Sequence, residues 1–541
     1  MVRSFSLSLV LATVLMALAG ATPAAAITPL GQFGEGPGDQ AGLLGVPQGV
    51  AVDSSGRVYA SERTRISVFA PQGAFLRAFG KNVVPGNAGT LFEQCTTICQ
   101  AGEAGGDSGE LRDAVGLAVD AEDRLYVAEF TNHRVSVFSR QGAFLRNFGK
   151  DVKPAAPGTG PEVCTDVDPC KQGEAGAGSA EFNLPSGLAI DAAGVLLVAE
   201  VGNNRVSMYE PDGTFLRAFG MGVNPGPGGR SDVCSSQCGA GIRSGVAGAL
   251  GAPSAVTVDR AGNIYVSELV NNRVSVFSPQ LVFLRAFGAD VVPGNDVRGF
   301  EVCTPVSGCK VGAGGAVFGR RSSGFRANGP GVLNRPIGVA VDAQDNVFVA
   351  EDRNNRISVF RRGTSFLRAF GRDVVPDNAR TGFEECRARC KPGVSGGQAG
   401  DLATPSFVAL DCRGALYVAE IFNGRVQRFG EPGTEPPPCA QPPAFANRFG
   451  IMRVERHPRR GTAALIVTVP WSAGVRVHGP AIRPRSKQVE FAGRTRLAIR
   501  PTRAAMRRLK RTGRLLVRAR VTYSPWGGEP RTKTRKIVLR R

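Results

Sequence analysis

At 541 residues with 71 glycines, the chain is too long for one ordinary hydrophobic core, and its 42% apolar content suits a folded, loop-rich protein rather than a disordered one. Its three histidines, His133, His457 and His478, are far apart, and neither a G-x-S-x-G elbow nor a phosphate-binding loop is present, which argues against the commonest nucleophile, metal and nucleotide chemistries. The net charge of +21 lies almost entirely in one segment: residues 440–541 hold 26 Lys plus Arg against Glu455, Glu490 and Glu529, and everything before them sums to −2.

In chain order, residues 1–26 read as a signal peptide. Arg3 supplies the positive start, Ser4 to Gly20 is mostly apolar, and Ala24-Ala25-Ala26 offers small residues for cleavage after Ala26. The run falls short of the roughly 20 apolar residues that span a bilayer, and no later segment is apolar enough to do so. A secreted, extracellular protein is expected.

Residues 27–430 contain an internal repeat. One unit reads Pro47-Gln-Gly-Val-Ala-Val-Asp53, Arg57-Val-Tyr-Ala-Ser-Glu62, Arg65-Ile-Ser-Val-Phe69 and Ala74-Phe-Leu-Arg-Ala-Phe-Gly80, and the aspartate recurs at Asp120, Asp191, Asp259, Asp342 and Asp411. Each unit holds four short runs rich in Val, Ile, Tyr and Phe between turn signals, hence four strands, and tandem four-stranded sheets close into a propeller. The expected fold is all-β, a six-bladed β-propeller. Copies one to five carry an outer run Phe-Leu-Arg-x-Phe-Gly; copy six lacks it, and Leu30-Gly-Gln-Phe-Gly34 offers a replacement. The start of the mature chain is therefore expected to seal the ring.

The sequence Gly338 to Asp342, Val347 to Glu351, then Asn354-Asn355-Arg356-Ile357 resembles the NHL repeat of exported bacterial propellers. The resemblance covers about Leu30 to Gly430 and implies the fold; similar propellers serve as binding platforms, RNA readers and a few enzymes.

Between one unit's outer strand and the next unit's inner strand lies a Gly-rich insert with a cysteine pair: Cys95 and Cys99, Cys164 and Cys170, Cys234 and Cys238, Cys303 and Cys309, Cys386 and Cys390. In an oxidising compartment these read as local structural disulfides, leaving Cys412 and Cys439 for each other. Antiparallel geometry puts all five inserts on one face with the second-to-third-strand turns, and long loops on a rigid scaffold are the usual carriers of recognition. Each unit also repeats a glutamate and an arginine at that turn: Glu62 and Arg65, Glu129 and Arg134, Glu200 and Arg205, Glu268 and Arg273, Glu351 and Arg356, Glu420 and Arg425. Sixfold repetition favours structural ion pairs over a cation-binding carboxylate ring, because six arginines would oppose the ion. No catalytic residue, cofactor or metal ligand is assigned.

A Pro-rich linker, residues 431–444, leads to a basic domain, residues 445–541. Thr462 to Val469, Gly474 to His478, Gln488 to Phe491, Arg514 to Thr522 and Thr532 to Leu539 read as strands, and Pro501 to Arg511 as a short helix. A small β-sandwich-like domain fits, similar to those that end many exported proteins of high-GC Gram-positive bacteria. The expected function is a non-catalytic extracellular binding or scaffold protein. Its propeller loop face would recognise a protein or glycan, and its basic tail an anionic cell-wall or envelope polymer; nucleic acid is disfavoured by export and by the near-neutral propeller. The alternative is a propeller-class hydrolase or lyase.

Overall fold

The computed structural model describes residues 26–34, 36–87, 92–154, 160–165, 169–225, 231–294, 299–314, 329–378, 382–431, 449–469, 473–489, 493–525 and 531–541. The expected signal peptide, as far as Ala25, and most of the expected Pro-rich linker lie outside the described residues.

The repeat builds six radial antiparallel sheets. Blade one consists of Pro47–Val52, Val58–Glu62, Arg65–Phe69 and Phe75–Lys81, from the axis outward. The inner strands neighbour one another in a circle, and Pro47–Val52 touches both Ala114–Val119 and Pro405–Leu410, so the ring is closed. They approach so tightly that a Cβ at Gly49 or Gly116 would stand 2.0 Å from the next strand's carbonyl oxygen. Glycine at this position is therefore a packing requirement rather than a turn signal. The second and third strands of blades one to four are buried along their whole length, and those of blades five and six along most of it, since neighbouring blades cover both faces.

Blade six is completed from the other end of the chain. Thr28–Phe33 pairs antiparallel with Arg425–Gly430, Thr28 opposite Gly430 and Phe33 opposite Val426. An outer-strand aromatic of each blade meets a third-strand aromatic of the next: Phe79 with Phe138, Phe148 with Tyr209, Phe219 with Phe277, Phe287 with Phe360, and Phe370 with Phe429, at centroid distances of 4.9–5.4 Å. At the seam Phe33 meets Phe69 at 6.0 Å, so the latch repeats the contact that joins the other blades.

The inserts differ from the four-strand reading. In blades one to five each insert adds a fifth, outermost strand: Phe92–Cys95, Pro161–Thr165, Ser231–Cys234, Phe300–Cys303 and Phe383–Cys386. A run of four or five residues has no periodicity of its own to announce a strand. It becomes one because the preceding strand offers an unpaired edge.

The C-terminal domain is a two-sheet sandwich. One sheet orders Gly450–His457, Thr462–Val469 and Gly493–Ile499; the other orders Ile482–Val489, Ala473–Gly479, Arg514–Pro525 and Arg531–Arg540. Leu465, Val467, Val475, Leu497, Val517, Val521 and Ile537 share one core between them. The helix Arg503–Thr512 adds Ala505 and Leu509 to that core and starts where the Thr502 hydroxyl accepts the Ala505 amide at 3.3 Å. Of the strand expected at Gln488 to Phe491, Gln488 and Val489 end a longer strand, Ile482–Val489, and residues 490–491 lie outside the described residues. Among the described residues no helix is long and apolar enough to cross a membrane.

Candidate functional site

Each blade ends its second strand on the glutamate and begins its third on the arginine, so the pair faces across one tight turn. Arg Nε donates to Glu Oε1 at 2.8–2.9 Å in all six blades. Every one of these side chains is nearly or fully buried. Burying an ion pair is stabilising only when the remaining lone pairs and protons are also satisfied, and here they are. In blade two Glu129 accepts from Arg134, Ser136 Oγ, Asn132 Nδ2 and the Arg112 amide. Blade six substitutes Gln427 for the serine, and there burial pushes the Glu420 carboxyl above its ordinary range, against the neighbouring Arg425.

The outer nitrogens of each arginine reach further. Arg134 donates to Glu110 O at 2.7 Å in the insert before its blade and to Lys171 O at 2.9 Å in the insert after it. Arg205 joins Glu181 O to Gly239 O, Arg273 joins Ala249 O to Lys310 O, and Arg356 joins Val332 O to Lys391 O. Arg65 likewise takes Leu43 O and Gln100 O. Blade six has no following insert, and Arg425 takes Gln32 Oε1 of the latch strand at 3.2 Å instead. These bonds place the inserts on the same face as the turns and fix their backbones. The sequence pattern identified the pairs; it carried no sign of the carbonyls, which come from segments about 24–37 residues away.

The Asn-Asn of the turn has two jobs. Asn132, Asn203, Asn271, Asn354 and Asn423 donate to the glutamate. The next position accepts the amide that opens the following inner strand: Asn204 from Ala252, Asn272 from Arg335, Asn355 from Thr404, and, in blade two, His133 Nδ1 from Leu184 at 3.2 Å. Burial holds His133 below its ordinary 6.5, in the neutral form that acceptance at Nδ1 requires. Each repeated aspartate caps its own first turn; Asp53 accepts the Ser55 and Arg57 amides and the Tyr59 hydroxyl, and burial, then Asp53, push that phenol up to about 12.

The cysteine pairs form five local disulfides, 95–99, 164–170, 234–238, 303–309 and 386–390, with Cα separations of 5.3–5.8 Å. Four of them rest on a buried valine and a buried alanine, as Cys303 and Cys309 do on Val291 and Ala286. Cys412 is itself disulfide-bonded; Cys439, its expected partner, lies outside the described residues. Sequence reading passed over a second repeated carboxylate: Glu93, Glu162, Glu301 and Glu384 each accept a backbone amide nine residues earlier, Val84, Lys153, Val292 and Val375. Above this common base the tips diverge. They read Thr-Thr-Ile98, Ser-Ser-Gln237, Thr-Pro-Val-Ser-Gly308 and Arg-Ala-Arg389, with Ile98 and Val306 strongly exposed.

Sixfold regularity breaks at blade one. Its glutamate and arginine are three residues apart, against five elsewhere, so the turn lacks both Asn positions. The space opens a pocket of about 360 Å³ lined by Arg63, Thr64, Ala104, Arg112 and Asp113. Arg63 pairs with Asp113 at 2.8 Å, the Thr131 hydroxyl donates to the same carboxylate, and Arg112 reaches Gln172 at 3.0 Å. Despite partial burial, those donors hold Asp113 below the ordinary carboxylate range. Two guanidinium groups against one carboxylate suit an acidic or mixed-charge group of a partner. The signal for this pocket was the shortened Glu-to-Arg spacing.

At the axis Val115 of blade two, Ala255 of blade four, Ile337 of blade five and Phe407 of blade six meet in one apolar cluster. Among the described residues no three His, Cys, Asp or Glu converge as a metal site. His457 and His478 lie in the C-terminal domain, beside Arg496 and Thr522.

Fold and turns together define an NHL-type β-propeller carrying a small β-sandwich. Residues 111–138 and 333–360 match the NHL repeat. The chain is 23% identical over 192 residues to Protein brain tumor of Drosophila melanogaster, covering 35% of this chain and 14% of that protein. Similar solved structures include virginiamycin B lyase from Staphylococcus aureus (12% identity, 72% of this chain, 97% of the other, TM-score 0.33). They also include a PQQ-bound aldose sugar dehydrogenase from Streptomyces coelicolor (13%, 75% and 98%, 0.35) and the WD40 propeller of Doa1 (8%, 76% and 98%, 0.33).

Proposed function

We propose that this is an extracellular, non-catalytic binding or scaffold protein whose propeller loop face recognises a protein or glycan partner, while the basic C-terminal domain associates with anionic envelope polymers. One observation carries the first half: a frame repeated to the hydrogen bond supports disulfide-closed tips of unlike chemistry and a pocket at blade one, all on one face. Variable loops on a rigid frame are where recognition concentrates. A partner of this face contributes a carboxylate or phosphate to the Arg63–Arg112 pocket. The test is a panel of glycans and displayed peptides probed with the full chain and with R112E and V306D. Selective loss of a bound ligand in either variant, at an unchanged melting temperature, supports the reading; a ligand retained by both argues against it.

The competing reading is a propeller-class hydrolase or lyase. Turnover of an ester, glycoside or lactone by the purified chain, abolished by D113N, would replace the first proposal with the second.

A further inference from the structure

The C-terminal sheet of four strands has one face on the core and one in water. On Arg514–Pro525 the buried residues are Leu515, Val517, Ala519, Val521 and Tyr523, so Arg514, Leu516, Arg518, Arg520 and Thr522 point outward. Register then places their neighbours. Arg518 stands directly opposite Lys536, Arg520 lies opposite Thr534 on one side and His478 on the other, and Thr522 lies opposite Arg476. Arg476, Arg518, Arg520 and Lys536 are exposed, and none pairs with a carboxylate among the described residues. The domain's one described carboxylate, Glu455, is on the other sheet, taken by Arg453 at 2.9 Å and Arg496 at 3.0 Å.

Like charges directly opposite on a sheet are destabilising. Basic residues on an edge strand have a structural use, since they stop edge-to-edge pairing. That use does not account for Arg476, Arg518 and Arg520, which sit on the two central strands, Ala473–Gly479 and Arg514–Pro525. We infer that this outer sheet face is a binding surface for a flexible, linear phosphodiester polymer laid across the strands. The inference rests on the proposed polymer association of the basic domain and assigns it to one face and one chemistry.

Three features argue for that class. Guanidinium forks match phosphate oxygens in bidentate fashion. Basic groups recur about 5 Å across strands and roughly 7 Å along them, so a chain of anions fits where a single anion would leave most charges unmet. Among the described residues the domain's one α-helix packs on the core, with Ala505 and Leu509 buried there, so the outer face offers a sheet rather than a helix to enter a duplex groove and accommodates a flexible chain better than double-stranded DNA.

The experiment uses the full chain and poly(glycerol phosphate), with duplex DNA and inorganic phosphate as comparison probes. The face variant is R476Q/R518Q/R520Q/K536Q; the control, R503Q/R507Q/R508Q/K510Q, removes the same charge from exposed positions of the helix. Wild type is expected to bind the polymer with an affinity that falls log-linearly with salt. The face variant should weaken binding about tenfold or more and flatten the slope by about three, while the control stays within about twofold. Unchanged melting temperatures show that both variants fold. Equal losses in both variants overturn the face assignment and leave general polymer association standing; tighter binding to duplex DNA overturns the polymer class. Wild type that binds no polyanion defeats both readings.

Discussion

Within the propeller, Arg134, Arg205, Arg273 and Arg356 are fully buried, each held by a carboxylate and by carbonyls of two inserts. Arg476, Arg518 and Arg520 of the C-terminal domain stand in water with no carboxylate beside them among the described residues. The same side chain is structural in one domain and available in the other. What separates the two uses is satisfaction: a guanidinium whose donors are all engaged has nothing left to offer a ligand, and one that faces like charges gains from an anion. Counting arginines therefore says little until the partners are known.

Substitution gives the sharpest way to break this comparison. R273A leaves Glu268 buried without its counter-charge and frees carbonyls of two inserts, and it is expected to lower stability by about 3–5 kcal/mol. R518A, changing the same residue type on the exposed sheet, should fall within about 0.5 kcal/mol of wild type. Denaturant titration of both proteins measures the difference; equal effects would remove the distinction between the domains.

The seam tests whether the propeller is one cooperative ring. Phe33 is buried against Phe69 and Tyr417, so F33A removes the latch's aromatic contact and should cost about 3 kcal/mol. The loss should appear in the propeller's unfolding transition and leave the sandwich's transition in place, because the sandwich has its own core.

The smallest effect concerns His133. Its folded-state value lies below 6.5, so the unfolded chain binds the proton more readily and stability falls as pH drops from 6.5 towards the depressed value. Asparagine does the same hydrogen-bonding work in blades three to five. H133N should therefore keep the neutral-pH melting temperature and lose less of it than wild type at pH 5. Parallel melting curves for the two proteins would remove the assigned role.

Six blades, the closing strand, the face carrying the inserts and the Glu–Arg pairs were all legible in the order of residues, because a short-range repeat writes its own strands and turns six times over. The fifth strands, the carbonyl clamps, the apolar plug of Val115, Ala255 and Phe407, and the basic face of the sandwich were decided by tertiary structure alone. Each depends on which segments meet across long separations: a strand edge left open, an insert folded back over a turn, three blades converging on an axis, one sheet side turned to the core. Local pattern sets what a segment is able to become; only the packed chain settles what stands opposite it.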